Sequence, residues 1–278
     1  MQLLTVIILM SLCVNPLLVA DDAVQSLTAE FQNKIFLIRG LYQDDSLQYG
    51  LDGTLKKKGH IGSWTTSFIF VTSLEVKADS VEITGYRVAQ LAKANPGKLQ
   101  PVKTQFPVSI RIDEQTKDVD GIRDSIRRVL VGPSEPLYTL VPEFWRAYVQ
   151  HLADGSDSPS VPAIAAPEKI GKFACSPTSD ISHPCKVGGQ VKPPRIVSAP
   201  DPAYCPIAKA AKIEGTSVLW VVIDPKGQTR DIKVQRAVGF GLDEKAVEAV
   251  SAWKFKPATF DGKPVAVQIN VEVNFRLY

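Results

Sequence analysis

The chain is poor in histidine, with three among 278 residues, and poorer still in methionine, with two. His60, His151 and His183 stand in no triad, zincin or phosphate-loop context, so no catalytic or metal motif forms around them. A basic stripe is also lacking. Net charge is +3, too small to argue for nucleic acid, and the longest basic run, Lys56-Lys57-Lys58, sits beside Gly59 in an expected turn, so no nucleic-acid partner is expected. No apolar run reaches the ~20 residues that a membrane-spanning helix needs. The longest, Leu3 to Val14, is stopped by Asn15-Pro16.

That apolar run, followed by Leu17-Leu18-Val19-Ala20 and then Asp21-Asp22, reads as a secretory signal over 1–20, cut after Ala20. It has no Lys or Arg before the apolar run, so only the α-amine supplies the positive end. Leu12 before Cys13 is too large for a lipoprotein site. Cleavage leaves Cys175, Cys185 and Cys205 in an oxidising compartment. Cys175 and Cys185, ten apart in a Pro/Ser-rich stretch, are the expected pair, with Cys175–Cys205 and Cys185–Cys205 as alternatives that spacing leaves open. His183 near Cys185 lacks the paired spacing of a zinc site, so no metal and no cofactor is expected.

Residues 21–154 read as a mainly β domain with helices. Val24, Leu27, Phe31, Ile35 and Ile38 begin with helical spacing, and strand signals follow at Leu47–Leu51, Thr65–Val71, Leu74–Val76, Val81–Thr84 and Val108–Ile112. Helices are predicted from about Val119 to Val131 and from Pro142 to Leu152. From Asp154 to Pro200 the chain is rich in Pro, Ser, Gly and Ala, the composition of an extended linker; its core is placed at 155–191. Asp44-Asp45 and Asp154-Gly155-Ser156-Asp157 are candidate carboxylate sites, weak calcium sites included, and polar loop chemistry explains them at least as well. The enzyme class is therefore not favoured.

The last segment, 192–278, is the most readable. A short helix over Ala203–Ile213 ends at Gly215, and Thr216–Asp224 is a strand apolar on both faces. Pro225-Lys226-Gly227 turns the chain into Thr229–Val238 as a hairpin. Gly239-Phe240-Gly241 precedes a helix whose apolar stripe is Ala246, Val247, Ala249, Val250 and Trp253. After the Asp261-Gly262 turn, apolar residues recur at every odd position from Val265 to Leu277, with Gln268, Asn270, Glu272, Asn274 and Arg276 between them. That period of two means one buried and one wet face. The fold class is α+β: a small antiparallel sheet with two helices, preceded by the mainly β domain and the Pro-rich linker.

Several ordered motifs make this segment resemble the TonB C-terminal domain family. They are Pro202-Ala203-Tyr204, Ile213-Glu214-Gly215, Asp224-Pro225-Lys226-Gly227, Gly241-Leu242-Asp243, Trp253-Lys254-Phe255-Lys256-Pro257-Ala258 and Asp261-Gly262-Lys263-Pro264. Cys205 stands where the family has a Pro after the Tyr, and Pro206 follows one place later. The resemblance implies a periplasmic binding module rather than an enzyme. Its implied partner is the extended N-terminal box of an outer-membrane TonB-dependent receptor, paired beside the last strand, with Gln268, Asn270, Glu272 and Tyr204 as partner-binding candidates. The first domain resembles, loosely, modules of soluble TonB-like proteins.

Two further readings are carried forward. An uncleaved N-terminus would make the chain a membrane-anchored transducer coupled to an inner-membrane proton-motive complex. The ~45-residue Pro-rich stretch would then extend at most about 140 Å at ~3.1 Å per residue. Alternatively, the exposed strand edge would drive self-association in a structural role.

Overall fold

The computed structural model describes residues 16–92, 98–113, 118–132, 135–154, 175–176 and 181–277. The predicted signal over 1–20 lies mostly outside them. The first described element is a helix, α1 (Pro16–Phe31). Among the described residues no helix is long and apolar enough to cross a membrane.

The first unit is built on β1 (Ile35–Ile38), β2 (Ser46–Tyr49), β3 (Phe68–Val76), β4 (Ser80–Ala92), β5 (Leu99–Asp113), α2 (Val119–Val129), β6 (Leu130–Val131) and α3 (Glu143–Asp154). Its strands form one sheet in the order β2-β5-β4-β3-β1-β6, with β2 parallel to β5 and the other pairs antiparallel. Alternation along β3, β4 and β5 sends Ile69, Val71, Ile83 and Ile110 to one face, where Leu27 of α1 and Ile126 of α2 close a core. Asp118 caps α2 by accepting from the Gly121 amide, and Arg123 and Arg127 of α2 both reach Glu30 of α1. The helix predicted to run to Val131 stops at Val129, because Leu130 and Val131 are extended and pair with β1. The separate signals at Thr65–Val71 and Leu74–Val76 are one strand, β3, preceded by a 3-10 turn at Trp64–Thr66.

The second unit contains β7 (Cys185–Lys186), β8 (Val191–Lys192), β9 (Arg195–Ser198), α4 (Pro206–Ala210), β10 (Gly215–Ile223), β11 (Thr229–Arg236), α5 (Leu242–Ser251), β12 (Lys254–Lys256), β13 (Ala258–Phe260), β14 (Lys263–Val265) and β15 (Val267–Phe275). Its main sheet has the order β11-β10-β15-β7, and small sheets β12-β9 and β14-β13-β8 flank it. The expected antiparallel hairpin, last strand and two helices are present, and the structure adds β7, which joins the edge in parallel, and the two small flanking sheets. Two elements are shorter than predicted. The first helix begins only at Pro206, whose ring suits a first helical turn, and the last strand is interrupted at Ala266 and ends at Phe275. The described part of the expected linker also departs from the extended form, since β7, β8 and β9 pair with strands of the second unit.

Sequence reading treats the two units as separate bodies, yet they share a core. Trp64, Trp145, Tyr148 and Val149 of the first unit lie in one cluster with Val234, Phe240, Leu242 and Ala246 of the second. Trp145 meets Trp64 edge-to-face at 5.3 Å. At the end of β4, the Ala92 amide donates to the Val238 carbonyl, and the Phe240 amide donates to the Gln90 carbonyl, each at 3.0 Å. Gly239 sits between these bonds with φ +89°, and a Cβ there would lie 2.0 Å from the Gln90 oxygen, so the close approach requires glycine.

Candidate partner-binding edge

The motif residues of the second unit hold its main sheet in shape. Asp224 accepts from the Lys226 and Gln228 amides and so ties the tight turn between β10 and β11, where Gly227 takes φ +77°. Asp243, fully buried, accepts from the Ser217 hydroxyl and from the Val238 and Gly239 amides, which fixes the start of α5 against β10. Burial pushes its carboxyl up to about 6, against the pull of those donors. Trp253 falls just beyond α5, half-buried, and donates to the Pro200 carbonyl at 3.1 Å; Phe255 enters the core from β12.

β15 pairs with β10 over nine consecutive register partners, from Gly215↔Phe275 to Ile223↔Val267. Its odd residues Val267, Val271, Val273 and Phe275 are buried, while Asn270, Glu272 and Asn274 are exposed. On the outer side, β7 meets only Val267 and Gln268. The Cys185 amide donates to the Ala266 carbonyl at 2.8 Å, so that carbonyl points away from β10. With a two-residue period, the N–H and C=O groups of Gln268, Asn270, Glu272 and Asn274 face the same outer edge. Beyond Gln268 no described strand lies beside them.

The four predicted binding residues therefore fall in three settings. Asn270 and Glu272 lie on the open edge. Gln268 is half-buried beside Lys186 of β7. Tyr204 braces the end of the strand: its hydroxyl donates to the Ile213 carbonyl and its ring packs edge-to-face on Phe275 at 5.7 Å. The disulfide forms between Cys175 and Cys185. Cys205 is a buried free thiol, held protonated as burial pushes its pKa up. Among the described residues, no group of three or more His, Cys, Asp or Glu could hold a metal ion.

Two features have no counterpart in the sequence reading. One is β7 itself. The other is Glu244 of α5, whose Oε1 accepts from Trp145 Nε1 and from the Ser63 hydroxyl, each at 2.7 Å. The Gly241 amide donates to Thr65 Oγ1 at 3.0 Å, and Thr65 and Ser63 are themselves bonded, so Gly62-Ser63-Trp64-Thr65 is a latch onto the second unit. Part of Glu244 stays exposed, but Oε2 is cut off from solvent without a partner. Burial, and then the nearby Asp243 charge, push its carboxyl up to about 7.

Comparison with known proteins places these motifs in a family. Residues 200–277 match the model of the Gram-negative bacterial TonB protein C-terminal. The TonB protein of Vibrio cholerae serotype O1 is 40% identical over 91 residues, covering 31% of this chain and 36% of that protein. The TonB protein of Xanthomonas campestris pv. campestris is 34% identical over 77 residues, covering 27% and 34%. A solution NMR structure of the Pseudomonas aeruginosa TonB C-terminal domain aligns at 25% identity over 34% of this chain and 93% of its own, with a TM-score of 0.28. The matched stretch spans about a third of the length of each TonB relative. Residues 200–277 of this chain are a TonB C-terminal domain.

Proposed function

We propose that this protein is a periplasmic binding module of TonB-dependent transport, which pairs the outer edge of β15 with an extended peptide of an outer-membrane transporter. The observation that carries the reading is the open edge from Asn270 to Asn274, a regular strand with its outward N–H and C=O groups unclaimed by any described strand. Such an edge gives affinity through main-chain hydrogen bonds. Its side chains give selectivity: the peptide lies beside Val271, Val273 and Phe275 on one face and beside Asn270 and Glu272 on the other. The reading assigns no catalytic residue and needs no cofactor. Localisation follows from the expected signal and the function, with residues 1–20 as either a cleaved leader or an anchor to a proton-motive complex.

The test is Asn270→Pro, which removes one outward N–H from the middle of the edge. Titration with a labelled peptide from the N-terminus of a TonB-dependent transporter should show at least about a tenfold loss of affinity. Unchanged affinity would place the partner elsewhere. A mass that rises with protein concentration, and falls on adding that peptide, would show the same edge pairing two copies instead.

A further inference from the structure

The segment from Cys185 to Lys192 is fixed at both ends. Cys185, buried in the shared core, is bonded to Cys175, and Val191–Lys192 pairs with β13. Between these anchors, β7 lies in the lane that a strand added to β15 would take, and it fills the rungs at Val267 and Gln268. Past Lys186 the chain leaves the edge: Val187 is exposed, and Gly188 and Gly189 turn it back with positive φ, open space around both. Lys186 and Val187, with Trp220, Gln268 and Asn270, then wall a groove where the free edge begins. A ladder of two residues contributes little by itself, about 1 kcal/mol per net hydrogen bond. Its tether therefore decides whether it stays in place.

We propose that β7 is an intramolecular stand-in for the first rungs of the partner strand, and that the Cys175–Cys185 disulfide holds it there, which confines a partner to the edge from Asn270 to Asn274. The proposal rests on the reading of β15 as the partner edge. It adds a length limit and a redox setting. In the oxidised protein only a short extended segment fits. A dithiol reductant breaks the S–S bond, delivers two electrons and two protons to give two thiols, and itself closes to a disulfide. Once released, β7 yields the outward groups of Ala266 and Gln268 to a longer partner.

The probes are two fluorescein-labelled peptides of alternating threonine and valine, one of about five residues and one of about ten, which span a part or all of the edge at ~3.3 Å per residue. Affinity is measured for the oxidised protein, for the protein reduced with dithiothreitol, and for Cys175→Ser, which removes the bond and keeps the Cys185 side chain. Amide exchange at Gln268 is followed in parallel. The expected result is about tenfold tighter binding of the long peptide in both released forms, the size of one or two net hydrogen bonds, with the short peptide unchanged. Gln268 should exchange faster in those forms when no peptide is present. If both peptides bind and neither affinity changes, β7 is a structural rung and the proposal is overturned. If neither peptide binds in any form, the reading of the edge falls, and the length limit falls with it, whatever Gln268 exchange shows.

Discussion

The two long strands flanking β10 in the second unit are treated in opposite ways. β11 is irregular: its pairing with β10 shifts register between Val218 and Leu219 and again between Trp220 and Val222, and Asp231 takes φ 39°. Helix α3 lies against it, with Trp145, Tyr148 and Val149 in the same cluster as Val234. β15 is regular over nine rungs, and past Gln268 no described strand pairs with its outer side. Bulges and a covering helix are the usual means of keeping a strand edge from pairing with other chains. Among the described residues they guard the β11 side of the sheet and not the outer side of β15, and the proposed partner edge rests on that contrast. The first unit thus packs on the second from the β11 side, away from the proposed site.

Changes on the β11 side should lower stability and spare peptide binding, and two substitutions sharpen that contrast. Trp145→Ala empties a fully buried site and removes a donor from Glu244, so urea unfolding should show a loss of about 3–5 kcal/mol. The affinity of a β15-edge peptide should stay within about twofold under conditions where the variant is folded. Gly239→Ala forces a Cβ against the Gln90 oxygen at a positive φ, and should cost about 2 kcal/mol or more by the same assay. It should also speed exchange at the Ala92 and Phe240 amides, whose bonds hold the two units together.

The smallest effect is one of pH. The Glu244 carboxyl sits at about 7 in the folded protein against an ordinary value of 4.5, so between these values the folded state binds the extra proton. Its contribution is complete below about 4.5 and is lost as pH rises through about 7. Asp243, pushed up to about 6, acts in the same direction over a lower window. Glu244→Gln should therefore flatten the decline of melting temperature between about pH 4.5 and 7, and the variant should match or exceed the parent above that window. A decline as steep as the parent's would show that the junction does not hold a neutral carboxyl.

The contrast between the two edges was only half legible in the sequence. The alternation from Val267 to Phe275 and the motifs around Asp224, Gly241 and Asp243 set out the binding sheet, because each is a local device: a strand period, a turn acceptor, a helix start. The guarded side was hidden. Glu244 finds Ser63 and Trp145 at separations of 181 and 99 residues, and no local pattern announces such a partner. β7 escaped for a different reason: two residues in a Pro/Ser-rich stretch carry no period at all. The break at Ala266 was masked by an apolar alternation that continues through it. The pairing of Cys175 with Cys185 was the expected one among three that spacing left open, and its place beside the proposed partner lane carried no signal.

The central claim is that a partner strand adds to the outer edge of β15 and leaves β11 alone. Backbone amide exchange, compared with and without an N-terminal peptide of a TonB-dependent transporter, tests it residue by residue. New protection at Asn270, Glu272 and Asn274, with none along Thr229–Arg236, is the predicted result. Protection along Thr229–Arg236 with the Asn270–Asn274 amides unchanged would contradict it.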